Sequence, residues 1–253
     1  MTEQKAQRGF QRAARRSDVL LTVSEYSKNE ICRHYGVSHD KVRVTYNGVD
    51  QNRFFSGDEG RACVEALGLT PGHFILTVGR LEPRKNHQTL IKAWARLGDT
   101  APPLVIVGQD DPNFPQLQEV IDGVVGGQKV IQFKHMGDDV LPAVMRHATA
   151  FAYPAFAEGF GMPVAEAMAS GTPVITSNAT SLPEVAGQAA LLCDPQDEDS
   201  LYRALRQVLI MSEDERARWV ALAKAQVKQF DWGHSAQVLL DGLSAAGRRK
   251  VAM

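Results

Sequence analysis

The sequence predicts an α/β protein built on a doubly wound parallel sheet, and three observations predict it. Short apolar runs recur along the chain, at residues 19–23, 74–78, 104–107, 130–133, 151–153, 173–176 and 190–193. Each is too short for a typical helix, and most are nearly continuous in apolar character, which is how strands buried on both faces of a parallel sheet read. Between them lie segments whose apolar residues fall three and four apart, the spacing of one helix face.

In chain order, the first run is followed by a helix over 28–35 that Gly36 stops, then by a strand over 42–46 closed by the turn dipeptide Asn47-Gly48. Residues 50–57 are polar and irregular and read as a connector. One strand–helix–strand unit cannot bury a core of its own. Residues 1–50 are therefore read as the remnant of a first domain, and residues 51–253 as the main one. The six runs from Phe74 to Cys193 then make one Rossmann-like sheet. A helix over 86–97 carries Leu90, Ile91, Trp94 and Leu97 on one face, and a helix over 200–210 does the same with Leu201, Leu205, Val208 and Leu209. A third helix over 213–230 turns Trp219, Leu222 and Val227 inward. Trp232 reads as the anchor of a last helix, and the residues after about Leu240 as a disordered tail.

Composition excludes several classes of function. Of 253 residues, 44% are hydrophobic and 23% charged, as in an ordinary globular protein. A net charge of -1 removes any global electrostatic case for nucleic-acid binding. Cys32, Cys63 and Cys193 are odd in number and far apart, so they imply no disulfide framework and suit a reducing, cytoplasmic compartment. No histidine pair has a zinc-binding spacing, and no metal is expected. No run reaches the roughly 18 apolar residues that span a bilayer, and the start lacks the apolar stretch of a secretory signal. The basic residues from Lys5 to Arg16 read as a solvated helix face or as a contact with anionic lipid.

In open parallel sheets, ligands bind beyond the carboxyl ends of the strands. That directs attention to Gly79-Arg80, Gly108-Gln109, Lys134-His135 and residues 154–158 and 177–180. The most informative segment is PAFAEGFGMPVAEAMASGTPVITS, residues 154–177, which reads strand end, glycine-rich loop, two-turn helix, turn, strand. Pro163 suits the first turn of a helix and Gly171 the position just past its end. The free N–H groups and macrodipole at such a helix start attract a phosphate, and Gly159 and Gly161 let the backbone approach a ligand. Glu158 and Glu166 flank this loop. A carboxylate accepts several hydroxyl hydrogen bonds, so one can hold a hexose and the other a ribose, with a pyrophosphate between them. The alternative is that Glu158 caps the helix and Glu166 is merely solvated. In VGRLEPRKNH, Arg80 follows a strand and Lys85 precedes a helix, so the two can neutralise a diphosphate leaving group. The alternative there is a solvated basic loop with Glu82 as partner. Asp110-Asp111 reads as a polar loop and His135 as a surface histidine, while Asn178, Ser181 and Glu184 either touch a ligand or satisfy loop backbone.

The string EGFGMPVAE followed by AMASGTPVI closely resembles the Glu-x7-Glu segment of the family 4 retaining glycosyltransferases, which have the two-domain GT-B fold. The resemblance implies that Glu158 contacts the transferred sugar and Glu166 the nucleoside ribose. It implies that backbone near Gly159, Phe160, Gly161 and Met162 faces sugar and phosphates, and that Arg80 and Lys85, beside Gly79, are the phosphate-binding cations. SDVLLTVSEYSKNEI and NGVDQNRF resemble the end of the first domain and the crossover, SLPEVAGQAALLCDP the loop after the donor site, and FDWGHSAQVLL the closing helix. The resemblance thus runs from about Ser17 to Leu240. It implies transfer of a hexose from a nucleotide sugar to a carbohydrate or lipid-linked acceptor, without a metal or other cofactor, in the cytoplasm or at the inner membrane surface. The motif wording is closest to bacterial mannosyltransferases of polysaccharide assembly, which points to GDP-mannose, with UDP-glucose next. Most of an acceptor domain is absent, so the chain alone is expected to be inactive and to self-associate or bind a partner subunit. A non-catalytic nucleotide-sugar-binding subunit and a sugar-nucleotide epimerase are the alternatives.

Overall fold

The computed structural model describes residues 3–124 and 129–251. The chain divides into two compact units, Met1–Gly48 with Phe230–Met253, and Val49–Gln229.

The first unit opens with α1 (Glu3–Arg16), β1 (Leu20–Thr22), α2 (Glu25–Tyr35) and β2 (Val42–Val44). Residues 7–13 of α1 are exposed, and the side chain of Lys5 lies outside the described residues. β1 and β2 pair in parallel. α2 starts three residues earlier than its apolar pattern indicates, because Ser24 is its N-cap: the Ser24 hydroxyl accepts the Ser27 N–H at 3.0 Å.

The second unit runs α3 (Arg61–Ala66), β3 (Ile75–Val78), α4 (His87–Ala95), β4 (Leu104–Val107), α5 (Gln116–Asp122), β5 (Val130–Phe133), α6 (Leu141–Arg146), β6 (Ala150–Tyr153), α7 (Met162–Ala169), β7 (Val174–Ser177), α8 (Leu182–Ala186), β8 (Ala190–Cys193), α9 (Glu198–Leu209) and α10 (Glu213–Val227). Its strands form one parallel sheet in the order β5-β4-β3-β6-β7-β8. This is the α/β Rossmann-like arrangement that the alternating runs indicate. The strands are mostly apolar because helices cover both faces; the edge strand β5, which carries Gln132, is half-buried. On one face, Ile75, Leu104, Ile106, Ala150, Ala152 and Ile175 share a core with Leu90, Ile91 and Trp94 of α4, Leu117 of α5 and Leu201, Leu205 and Val208 of α9. Trp94 is fully buried, and its indole N–H donates to the Pro102 carbonyl at 2.9 Å, so its polar atom costs nothing. On the other face α7 packs on β6 and β7, with α6 and α10 against it.

The chain leaves β3 towards β4 and β5, and leaves β6 towards β7 and β8. β3 and β6 are therefore neighbours at which the direction of winding reverses. Beyond their carboxyl ends the following loops diverge and leave a crevice.

Two expectations are corrected. Leu222 of α10 is 45% exposed, because Val220, Ala223 and Val227, spaced three and four apart, set the inner face one position away. The last helix, α11 (Trp232–Val251), belongs to the first unit and continues past Leu240. Gln237 donates to Asp241 one turn on at 3.0 Å, and Gly242 faces Leu21 and Val19. Trp232 itself is 55% exposed, with its ring against Gly48.

Candidate active site

The loop after β3 is shaped by one short turn. Pro83–Lys85 form a single 3-10 turn, and Asn86 follows in the left-handed region at φ 60. The Asn86 amide then donates to the carbonyls of Pro154 at 3.0 Å and Pro195 at 2.8 Å, buckling this loop to those after β6 and β8. The Phe156 N–H donates to the Arg84 carbonyl at 2.9 Å and closes the two loops on each other. Arg84 and Lys85 are thereby aimed at the segment that carries Glu158.

The result is a compact charged cluster. Lys85 Nζ donates to Glu158 Oε1 and to the Tyr153 hydroxyl, each at 2.6 Å. The Tyr153 hydroxyl donates to the same Oε1 at 2.8 Å, and Arg84 Nη1 lies 2.8 Å from it. Arg84 also donates to the Ala157 carbonyl at 2.7 Å and to Glu82 at 2.6 Å. Burial works against the charged form of Glu158, but the hydrogen bonds from Lys85 and Tyr153 and the nearby cations outweigh it and hold the carboxyl below its usual range. Burial, with the Glu158 charge beside it, pushes the Tyr153 phenol upward, so it stays a donor. The backbone of Glu158 is fixed as well. Its N–H donates to Thr180 Oγ1 at 3.0 Å, and the Ser181 hydroxyl lies 2.9 Å from its carbonyl and 3.0 Å from that of Phe160. Thr180 sits at φ 56, a strained conformation for a β-branched residue.

α7 begins directly after this loop. Gly161 is its N-cap at φ 104 and has no side chain to cap it; Pro163 has no N–H, and the Val164 N–H donates to the Gly161 carbonyl at 3.0 Å. A Cβ on Gly161 would stand 2.6 Å from Leu182 Cδ2, so only glycine fits. Glu158 therefore does not cap α7. Glu166 is on the second turn of the helix and half-buried; burial raises its pKa, and the charge of Arg53 opposes that rise.

The structure brings Lys85 and Glu158 together and sets Arg80 apart. Arg80 is 55% exposed, with Asp111 at 3.7 Å as its partner. Arg84 takes Glu82 instead. Asp110 pairs with Lys134 at 2.6 Å, and His135 lies exposed beside Gln109. Among the described residues, no three His, Cys, Asp or Glu are grouped to hold a metal ion. Arg84 and Tyr153 are not marked out by the sequence, whereas Thr180 falls within the strand-end stretch 177–180. The only signal for Tyr153 was a polar-tipped residue ending an apolar run.

His87, the first residue of α4, is buried behind this loop, with Nε2 3.3 Å from the Arg80 carbonyl and Nδ1 without a hydrogen-bond partner. Burial pushes its pKa down to about 4. The unfolded chain, with histidine near 6.5, then binds more protons than the folded one between those two values. Stability from His87 is fully present above pH 6.5 and is lost as pH falls towards 4, at up to about 1.4 kcal/mol per pH unit. Urea unfolding between pH 7 and 4.5 is expected to show a steeper decline for the native chain than for His87→Gln. Equal slopes would exclude a buried neutral imidazole.

The family model for glycosyl transferases group 1 matches residues 66–226, the greater part of the chain. The chain belongs to that family. A second model, that of glycosyltransferase family 4, matches residues 2–53. The chain is 33% identical over 220 residues to the O-antigen chain mannosyltransferase B of Escherichia coli, an alignment covering 85% of the chain and 57% of that relative. It spans about half the length of the curated relatives it matches. Its fold is shared with the sucrose-phosphate synthase of Thermosynechococcus elongatus, at TM-score 0.84 and 24% identity over 97% of this chain and 63% of that one. An Anabaena protein solved in complex with UDP and glucose superposes at TM-score 0.83 with 23% identity, covering 96% of this chain and 68% of that one. The chain is thus a member of glycosyl transferases group 1 with a family 4 match at its start, similar to bacterial mannosyltransferases, and it has the Rossmann-like sheet of the GT-B fold. Among its described residues, no helix is long and apolar enough to cross a membrane.

Proposed function

We propose that this chain is the donor-binding part of a retaining glycosyltransferase that moves mannose from GDP-mannose to an acceptor hydroxyl. The observation that carries the reading is the contact of Lys85 with Glu158 at 2.6 Å, at the β3/β6 reversal and beside the open start of α7. A cation beside a carboxylate, with the Gly161–Met162 backbone next to them at the helix start, is the chemistry that a nucleotide diphosphate sugar calls for and supports the reading. Lys85 and Arg80 take the diphosphate, with Gly79 leaving room for it. Glu158 accepts sugar hydroxyls, Glu166 accepts ribose hydroxyls, and the backbone from Gly159 to Met162 faces the phosphates. As the anomeric carbon–oxygen bond breaks, negative charge grows on the departing diphosphate, and fixed cations lower that barrier. The acceptor oxygen bonds to the anomeric carbon on the same face, and its proton passes to the leaving diphosphate. No metal is needed, because side chains supply the positive charge.

Mannose is favoured because the Escherichia coli relative is named as a mannosyltransferase. Residues 1–50, with the last helix of the same unit, then belong to an acceptor-side domain, and the rest of residues 51–253 to the donor-binding one. The free thiols of Cys32, Cys63 and Cys193 fit a reducing, cytoplasmic setting. Calorimetric titration with GDP, UDP, ADP and their hexose conjugates, beside Glu166→Ala, tests the reading. Binding of one nucleotide class, weakened in the variant, is expected. Failure of every nucleotide to bind defeats it.

A further inference from the structure

All donors to the Glu158 carboxylate converge on one oxygen. Lys85, Arg84 and Tyr153 each reach Oε1, and among the described residues none reaches Oε2. With its backbone N–H and carbonyl also held by Thr180 and Ser181, this glutamate has little freedom left. A single carboxylate oxygen is presented to a ligand, in one direction.

The three donors differ in what an arriving ligand does to them. Lys85 and Arg84 are cations, and the negative charge of a diphosphate competes with Glu158 for each. Tyr153 is neutral and feels that pull far less. It is also the most firmly seated of the three. It is fully buried, its ring stacks on Phe151 with centroids 5.8 Å apart and planes at 17°, and its carbonyl accepts the Thr176 hydroxyl at 3.0 Å. Arg84, by contrast, is 44% exposed.

We propose that Tyr153 is a positioning residue for sugar recognition: its hydroxyl keeps Glu158 Oε1 engaged when a diphosphate draws the cations away, so that Oε2 stays aimed at the sugar hydroxyls. The inference rests on the donor-site reading and deepens it. The same hydroxyl accepts from Lys85, so it joins the phosphate end of the site to the sugar end.

The test is calorimetric binding of GDP, GDP-mannose, UDP and UDP-glucose to the native chain, Tyr153→Phe, Glu158→Gln and the double variant. Tyr153→Phe keeps the ring and its stacking, and a thermal melt checks that it stays folded. A hydrogen bond to a charged group supports an expected loss of roughly tenfold in affinity for the sugar conjugate, with the bare nucleotide within about twofold. In the Glu158→Gln background, Tyr153→Phe is expected to add little, because the two act through one contact. Removing a donor also raises the carboxyl pKa, so the sugar's contribution to binding disappears at a higher pH in Tyr153→Phe. If nucleotide and conjugate weaken equally, or neither changes, or the effects of the two substitutions simply add, the positioning role is wrong while the donor site stands. If the native chain binds none of the four, the donor-site reading falls and takes this inference with it.

Discussion

Replacing Lys85 by methionine is expected to weaken binding of the nucleotide sugar by roughly a hundredfold, about 3 kcal/mol. Methionine keeps the aliphatic stem that packs beside Gly79, so the change isolates the ammonium. Two losses combine. The diphosphate loses a cation, and Glu158 loses one of its three partners. The Lys85 and Glu158 side chains are only 13% and 11% exposed, so solvent replaces little of what is removed. Arg84 and Tyr153 remain on the carboxylate, which keeps the site from collapsing and makes binding, not folding, the sensitive readout. Calorimetry with GDP-mannose and UDP-glucose, alongside a thermal melt, separates the two. An affinity within threefold of the native value would remove Lys85 from the phosphate site and leave it a structural counter-ion.

Gly108→Ala is expected to destabilise the second unit by about 3 kcal/mol, at the upper end of overpacking costs. A Cβ there would fall inside contact distance of the Gly79 carbonyl oxygen and stand 2.7 Å from its carbon. The obstacle is backbone, and it cannot rotate away. That backbone is pinned, since the Gly79 N–H donates to the Val107 carbonyl and the Gly108 N–H to that of Phe133, each at 2.9 Å. Relief requires parting the ends of β3, β4 and β5, which also carry Arg80 and the loop leading to Lys85. Urea unfolding should show a lower midpoint with an unchanged slope. A variant as stable as the native chain would mean that this edge of the sheet is looser than the ladder implies.

The sheet was legible because its inner strands are covered on both faces and so read as nearly continuous apolar runs. That Lys85 and Glu158 stand at strand ends was legible because glycine, proline and charged residues punctuate the loops that hold them. Which arginine would reach Glu158 was not. Arg80 and Arg84 are equivalent as letters, and a 3-10 turn between them decides that Arg84 faces Glu158 while Arg80 faces Asp111. Tyr153 was hidden because the last position of a buried strand looks like core. The positive φ of Thr180 leaves no mark at all, since a β-branched residue is not one that conformation favours. Leu222 misled for the opposite reason: hydrophobicity alone placed it inside, whereas the phase set by Val220, Ala223 and Val227 turned it out.

The cluster around Glu158 draws its members from loops far apart in the chain, Arg84 and Lys85 from one, Tyr153 and Glu158 from another, Thr180 and Ser181 from a third. Any break of the polypeptide between Asn86 and Ala150 leaves the cations on one fragment and the carboxylate on the other. During synthesis Lys85 is made well before its counter-ion, and the anchors of that counter-ion later still. The nascent protein therefore holds no part of this crevice in working form until Pro195, whose carbonyl ties down Asn86, has been added, and the site is a property of the finished sheet and of no shorter piece.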